Sequence, residues 1–408
     1  MRPKLKRSLS LPLLTLYGLG TTVGAGIYVL LGKVAGAAGP LAPVSFIVAG
    51  ALAALTAFSF AEWAGRLPKS AGEAVYVDAG LRWRGMAIVV GLAVAASGIV
   101  SAAAISVGAS GYLQQFLPLP RPALIVLAVL VLGAIAAWGI GESVRIAALF
   151  TVVEVAGLVL VIWAGGLAID DLPAALGRLT EASWSDAWLG VWAGSVLAFF
   201  AFIGFEDMVN VAEEVKDVAR AMPRAIILTL AVTGLLYVMV ATVAVLAVPP
   251  RELAASGAPL AVIYQAGIGG SPLLIVAIAS VGTLNGALIQ VIMASRVLYG
   301  LSQQGWLPAF LGTVHARTRT PLLATGLAAG LVLLLALAFP IEALAEATSL
   351  IVLSIFTLVN LALWRLKRRG DGPPPLGLVV PEWLPLVGFL VSGFFAGAEL
   401  LRLLGGLV

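Results

Sequence analysis

Apolar runs long enough to cross a bilayer recur along the whole chain, separated by short polar connections. A helix needs roughly 20 apolar residues to span a hydrocarbon core of ~30 Å. Read against that length, the sequence predicts eleven spans, at 11–37, 41–64, 85–115, 122–138, 145–168, 187–212, 224–248, 271–301, 320–339, 342–364 and 383–406. The fourth is the shortest run. An all-α polytopic membrane protein is the expected fold class.

The connections orient these spans. With the N-terminus placed in the cytoplasm, Arg121, Arg178 and Arg251 are the only basic residues in the outer loops. Lys33, Arg296 and Arg402 lie within or at the ends of spans, and every other lysine and arginine falls on the cytoplasmic side. Such asymmetry is what the positive-inside rule requires, so a multi-pass protein of the cell (inner) membrane is expected. The run from Leu11 follows a basic N-terminus, yet it leads into further spans without a small-residue cleavage site. It is read as a span rather than a leader.

Composition narrows the chemistry. Hydrophobic residues make up 61% of the chain and charged residues 11%, against about 25% charged in a soluble domain. A surface facing lipid accounts for the deficit. The chain has no cysteine and one histidine, His315. Disulfides, thiol catalysis and cysteine-ligated metals are excluded, and no metal centre or other cofactor is expected. The net charge of +4 follows from the loop arginines and lysines and does not imply nucleic acid. The longer loops hold no nucleophile–base set, so no enzyme is expected.

Two spans are built to open. Span 1 contains Gly18, Gly20, Gly24 and Gly26 within Gly18-Leu19-Gly20-Thr21-Thr22-Val23-Gly24-Ala25-Gly26, and each glycine lowers helix propensity by about 1 kcal/mol. Span 6 reads Phe200-Ala201-Phe202-Ile203-Gly204-Phe205-Glu206-Asp207, a glycine followed by two acids. Spans 1 and 6 lead two sets of five and start on opposite sides of the membrane. That is the arrangement of an inverted repeat with broken helices in matching positions. The first repeat would cover 10–170, the second 187–365, with 383–406 an additional C-terminal helix. The simpler explanation for the glycines is close helix packing, common in membranes.

The motifs carry a resemblance. Thr22-Val23-Gly24-Ala25-Gly26-Ile27 resembles the Gly-rich signature on the first helix of the amino acid–polyamine–organocation permeases. Leu67-Pro68-Lys69-Ser70-Ala71-Gly72-Glu73-Ala74-Val75-Tyr76 is similar to their loop after the second helix. Phe200 to Glu206 with Ala212-Glu213-Glu214-Val215-Lys216, and Ser295-Arg296-Val297-Leu298-Tyr299-Gly300, match the sixth and eighth helices. The likeness covers most of residues 10–365. It implies a LeuT-like fold of ten core helices, alternating access, and an amino acid or related amine as substrate. The sequence departs from the family twice. Members usually have twelve spans, and Glu154 stands on span 5 where the cationic amino acid branch has a lysine.

An amino acid presents a carboxylate and an ammonium. The free N–H groups of a half-helix suit the carboxylate, which places it at Thr22, Val23, Gly24, Ala25 and Gly26. The carbonyls of the opened sixth helix suit the ammonium, around Phe200, Ala201, Ile203 and Gly204. In the family the residues at the Phe200 and Ile203 positions line the pocket. No basic residue lies in these segments, which points to neutral amino acids. Ser97, Asn285 and Ser349 are further candidates for selectivity. Intramembrane acids are costly and functional by default, so Glu154 and Glu206 are candidates for proton coupling or gating. Asp207, Glu213 and Glu214 are expected at the wet cytoplasmic end, and Arg296 is expected to pair with an acid there. A sodium site would instead use span 1 carbonyls with the hydroxyls of Ser280 and Thr283. The chain therefore reads as a proton-coupled amino acid transporter, with a sodium symporter or exchanger as the alternative. A transport-incompetent nutrient sensor or a channel is the alternative of another class, although no ring of pore-lining charges is present.

Overall fold

The computed structural model describes residues 7–405 except 115, 181–183, 257, 371 and 375–376. The chain runs through α1 (Leu11–Ala38), α2 (Ala42–Arg66), α3 (Gly72–Leu81), α4 (Arg84–Leu113), α5 (Arg121–Trp138), α6 (Ile140–Leu167), α7 (Leu172–Thr180) and α8 (Trp184–Ala201). After a 3-10 segment at Phe205–Glu214 come α9 (Val218–Ala247), α10 (Pro250–Ala255), α11 (Pro259–Ile268) and α12 (Leu273–Gln303). The last helices are α13 (Leu322–Ala338), α14 (Ile341–Arg369) and α15 (Trp383–Gly405).

Each predicted span has its helix. Spans 1 to 5 are α1, α2, α4, α5 and α6; span 6 is α8 with the 3-10 segment; spans 7 to 11 are α9, α12, α13, α14 and α15. Ten of these stretches are long and apolar enough to cross a bilayer, and α13 is a shorter apolar helix of 17 residues. The ninth span, not the fourth, is therefore the shortest. Its apolar run, 320–339, was read through the buried Thr320 and Pro321, which precede the helix. The short helix α3 was not anticipated, because ten residues between two spans look like a loop when apolar length is the only signal.

Burial ranks the helices. In α12, 78% of the apolar stretch is buried, against 28% in α15. α12 is thus the central post, packed on α4, α6 and α1. α15 lies at the periphery against α14 and exposes Leu390, Phe394 and Leu401, as a lipid-facing helix should.

Polar groups inside the bundle are tied up in specific joints. Glu62 on α2 is fully buried. It accepts from Arg66 at 2.7 Å, from Lys367 of α14 at 2.8 Å and from the Val380 N–H at 2.8 Å, and Arg66 also donates to the Pro373 carbonyl. One carboxylate thereby fastens α2, α14 and the connection into α15. A second joint lies where the chain enters α1. Ser8 and Leu9 donate their N–H groups to the Glu214 carbonyl at 2.9 and 3.0 Å, and Lys216 N–H returns to the Leu9 carbonyl at 2.9 Å. Arg296 of α12 pairs with Glu214 at 3.4 Å, both side chains fully buried.

That last pairing gives Arg296 the acidic partner expected of it, but in the buried interior, and it corrects another expectation. Asp207 and Glu214 are buried, at 4% and 0% exposure, rather than at a wet helix end. The continuation of the sixth span folds back under the bundle as a 3-10 segment, which takes both acids with it.

Removing one partner of a buried charge pair costs about 3–5 kcal/mol. Glu62→Ala strands Lys367 and Arg66, so its thermal unfolding in detergent should shift downward by that amount. Lys367→Ala, which leaves Arg66 on the carboxylate, should cost less.

Candidate functional site

The first and sixth spans are both interrupted. In α1 the helix breaks at Gly24, with φ −31° and ψ −128°. In the sixth span α8 stops at Ala201, Gly204 turns the chain with φ 127°, and the 3-10 segment follows. Gly204 is required twice over. Its φ lies in the region that favours glycine, and a Cβ there would sit 2.9 Å from the Thr21 carbonyl carbon and oxygen.

An opened helix in a membrane must find partners for the backbone groups it frees. Here one side chain serves both breaks. The Tyr237 hydroxyl of α9 lies 2.6 Å from the Thr22 carbonyl and 3.0 Å from the Ala201 carbonyl. Its ring packs edge-on against Phe202 and Phe46. The Thr22 hydroxyl turns back onto its own helix at the Gly18 carbonyl, 2.9 Å away.

The glycines of α1 divide by surroundings. A Cβ on Gly26 would meet the Ala201 Cα at 2.8 Å, whereas one on Gly24 would meet only Gly286 Cα and the Gly282 carbonyl of α12 at 3.9–4.0 Å. Gly26 is thus a close-packing contact between the two broken spans, the simpler role that small residues play. At Gly24 a Cβ would make only ordinary van der Waals contacts. The Ala25 side chain lies outside the described residues, and Val23 is buried in the core.

Beside the sixth-span break is a small cavity of about 30 Å³. Ile203, Glu206 and Asp207 of the break line one side, Ser97 and Ser101 of α4 and Gln290 of α12 another, and Val352, Ile355 and Phe356 of α14 a third. Glu73 enters from α3. Glu206 accepts from the Gly204 N–H at 2.8 Å, Asp207 from Gln290 at 2.6 Å, and Glu73 from Asn210 at 3.0 Å. The second oxygen of Glu73 has no hydrogen-bond partner among the described residues. Burial pushes the Glu73 carboxyl up to about 8; the Asn210 hydrogen bond opposes this, and the neighbouring Glu206 adds to it.

A separate polar cluster holds Glu154. Asn285 of α12 donates to its Oε1 at 2.9 Å and lies 3.1 Å from the Thr151 hydroxyl. Tyr28 of α1 donates to the Glu154 carbonyl at 3.3 Å. The carboxyl rests against Gly282, where a Cβ would be 3.0 Å from Glu154 Cγ. That same Gly282 backs the Gly24 break. The Ser280 and Thr283 hydroxyls donate to carbonyls of their own helix, Val276 at 2.9 Å and Ala279 and Ser280 at 3.0 Å.

The structure therefore brings Ile203, Glu206 and Ser97 into one cavity, and Glu154 with Asn285 into a second cluster behind the α1 break. Phe200 is half-buried against Phe199 and does not line the cavity; neither does Ser349, although its neighbour Thr348 does. Glu73, Asp207, Gln290 and Tyr237 were missed as site residues. Glu73 lay inside a quoted motif, and Gln290 and Tyr237 were polar positions in otherwise apolar spans, which is the signal that marks them.

A helical membrane bundle with two broken spans beside an acid-lined cavity defines a solute carrier rather than a receptor or an enzyme. The chain belongs to the amino acid permease family, whose sequence profile matches residues 9–400. It is 29% identical over 394 residues to the branched-chain amino acid permease BcaP of Bacillus subtilis, covering 91% of this chain and 83% of that one. It is 31% identical over 393 residues to the vacuolar cationic amino acid transporter 4 of Arabidopsis thaliana, covering 91% of this chain and 65% of that one. A methylthioribose transporter of Bacillus subtilis is 28% identical over 396 residues, with 90% and 82% covered. The chain spans less than two thirds of the length of the cationic transporters it matches. It is an amino acid transporter by family.

Two outcomes test this geometry. Gly24→Ala should leave the unfolding free energy within about 1 kcal/mol of the parent, whereas Gly26→Ala, driven into the Ala201 backbone, should lower it by a larger amount. The Glu73 carboxyl is held above its ordinary value, so the stability it contributes is fully present below pH ~4.5 and is lost as pH rises through about 8. The melting temperature of the parent should decline over that window, and Glu73→Gln should flatten the decline.

Proposed function

We propose that the protein is a secondary active transporter that carries amino acids across the cell membrane by alternating access and couples the movement to protons. The observation that carries this reading is Glu154: a fully buried carboxyl set behind the Gly24 break, with Asn285 on one oxygen and no partner on the other among the described residues. A proton taken up or released there changes the charge facing α12 and α1 at the place where α1 opens. Intramembrane carboxyls of this kind are the usual elements of proton relays. Glu206, hydrogen-bonded to the backbone of the second break, is the proposed gate.

In this reading Thr22, Val23, Gly24, Ala25 and Gly26 present the carboxylate site, and Phe200, Ala201, Ile203 and Gly204 the ammonium site. Residues 10–170 and 187–365 act as the two inverted halves, with 383–406 outside them. The N-terminus faces the cytoplasm. The relatives carry different substrates by name, so substrate choice rests on the cavity. The apolar wall of Val352, Ile355 and Phe356 supports a neutral side chain. A second reading has a specific observation behind it: Glu73, Glu206 and Asp207 line the cavity with no lysine or arginine among its lining residues, which suits a substrate with an additional ammonium. A sodium-coupled form would recruit Ser280 and Thr283.

Reconstituted liposomes with an imposed pH gradient test the coupling. Uptake by the parent should follow the gradient without sodium, and Glu154→Gln should keep substrate binding and exchange while losing accumulation. Accumulation by Glu154→Gln equal to the parent would remove the proton role, and an absolute need for sodium would favour the sodium form. A thermal-shift series on purified protein sorts the substrate, since a bound ligand raises stability with the logarithm of its saturation. Stabilisation by leucine and valine but not by lysine or ornithine supports the neutral reading. The reverse order, abolished by Glu73→Gln, supports the second.

A further inference from the structure

The end of α14 reads Leu361-Ala362-Leu363-Trp364-Arg365-Leu366-Lys367-Arg368-Arg369. Its four basic residues are not equivalent. Lys367 is committed to Glu62, and Arg369 donates to the Gly80 and Ala79 carbonyls at the end of α3 at 2.6 and 2.8 Å. Both turn inward and hold the helix to α2 and α3. Arg365 and Arg368 are exposed. Arg365 makes no hydrogen bond or ion pair among the described residues. Arg368 lies 5.3 Å over the Trp364 ring and 3.6 Å from Glu382, an ion pair more than half exposed on both sides.

Leu361, Trp364, Arg365 and Arg368 are spaced three and four apart, so they share one face of the helix. Together with Arg369 they line an open groove of about 480 Å³. Along that face the chemistry changes in one direction: an aliphatic residue deepest, an indole next, then two guanidinium groups. Trp83 and Trp383 are also exposed, at 59% each, and stand at the starts of α4 and α15 on the same side of the bundle as the end of α14. Tryptophans gather at the level of the headgroups, so these three mark where the bilayer surface crosses the groove.

We infer that this groove binds an anionic phospholipid, with its phosphate between Arg365 and Arg368 and its acyl chain along Leu361 and Trp364. Guanidinium groups pair with phosphate oxygens through two parallel N–H bonds. Topogenic charge alone needs lysine or arginine anywhere in the loop. It does not require two exposed arginines on one stripe with an indole and a leucine above them. Glu382 is the acid against Arg368 among the described residues, and its exposed pair is weak enough to be displaced by a lipid phosphate. A lipid held here would clamp the outer face of the same helix end that Lys367 and Arg369 hold from within.

Native mass spectrometry of the full chain released from nanodiscs of phosphatidylglycerol or phosphatidylcholine tests the site. The parent should retain phosphatidylglycerol in preference to phosphatidylcholine. In Arg365→Gln/Arg368→Gln the retained phosphatidylglycerol should fall about 30-fold, the loss expected for two arginines at an anionic lipid surface. Lys33→Gln/Arg251→Gln removes the same charge elsewhere and should retain it. Arg365→Lys/Arg368→Lys, which keeps the charge but not the fork, should lie between. Equal retention of the two lipids by the parent would overturn the proposal, as would full retention by the double glutamine variant or equal loss in the Lys33/Arg251 control. Displacement of the lipid by millimolar glycerol phosphate would overturn it in favour of a soluble phosphate site.

Discussion

Hydrocarbon offers no hydrogen bonds, so a membrane helix can be opened only where the protein itself answers the carbonyls it frees. In this molecule the two opened helices share one answer. The Tyr237 hydroxyl lies between the Thr22 and Ala201 carbonyls, and its ring is held by Phe46 and Phe202. A phenol has a single proton to donate. The two carbonyls therefore compete for it, and the state of one break is felt at the other.

Around that phenol the packing is governed by small residues on a buried post. α12 places Gly282 and Gly286 opposite Gly24, and Gly282 also receives the Glu154 carboxyl. Backbones can approach closely only where there is no Cβ, so α1, α6 and α12 meet at one point. The cavity lies further along the same post, beside the second break, and reaches Gln290 two turns beyond Gly282 on α12. A single rigid helix thus borders both the carboxyl proposed to carry the proton and the cavity proposed to carry the solute.

Much of this was legible in the sequence, and the reason is the solvent. Apolar length reports bilayer crossing directly, so all eleven spans were placed to within several residues. Gly24 and Gly204 announced the breaks because few other residues are so unfavourable in a helix interior. What was hidden depends on long-range contact. Nothing local distinguishes Gly24, where a Cβ would meet only ordinary contacts, from Gly26, pressed on Ala201. Glu73 sits more than 100 positions from Glu206, and the quoted motif gave no sign that α3 turns a carboxyl into the cavity. Asp207 and Glu214 read as solvated acids because adjacent charges usually mark a helix end; only the 3-10 path under the bundle buries them. Glu154 was readable as a buried acid, but its partner Asn285 was one polar residue among several on the same span.

The three hydrogen bonds that tie residues 8–9 to 214–216 run between main-chain groups. Bonds of that kind carry no side-chain signature. The hydrogen bonds themselves place no demand on the side chains there, although Leu9, Glu214 and Val215 are each buried for other reasons. A proline at Leu9 or Lys216, which removes the amide proton itself, is the kind of change that reaches these bonds directly.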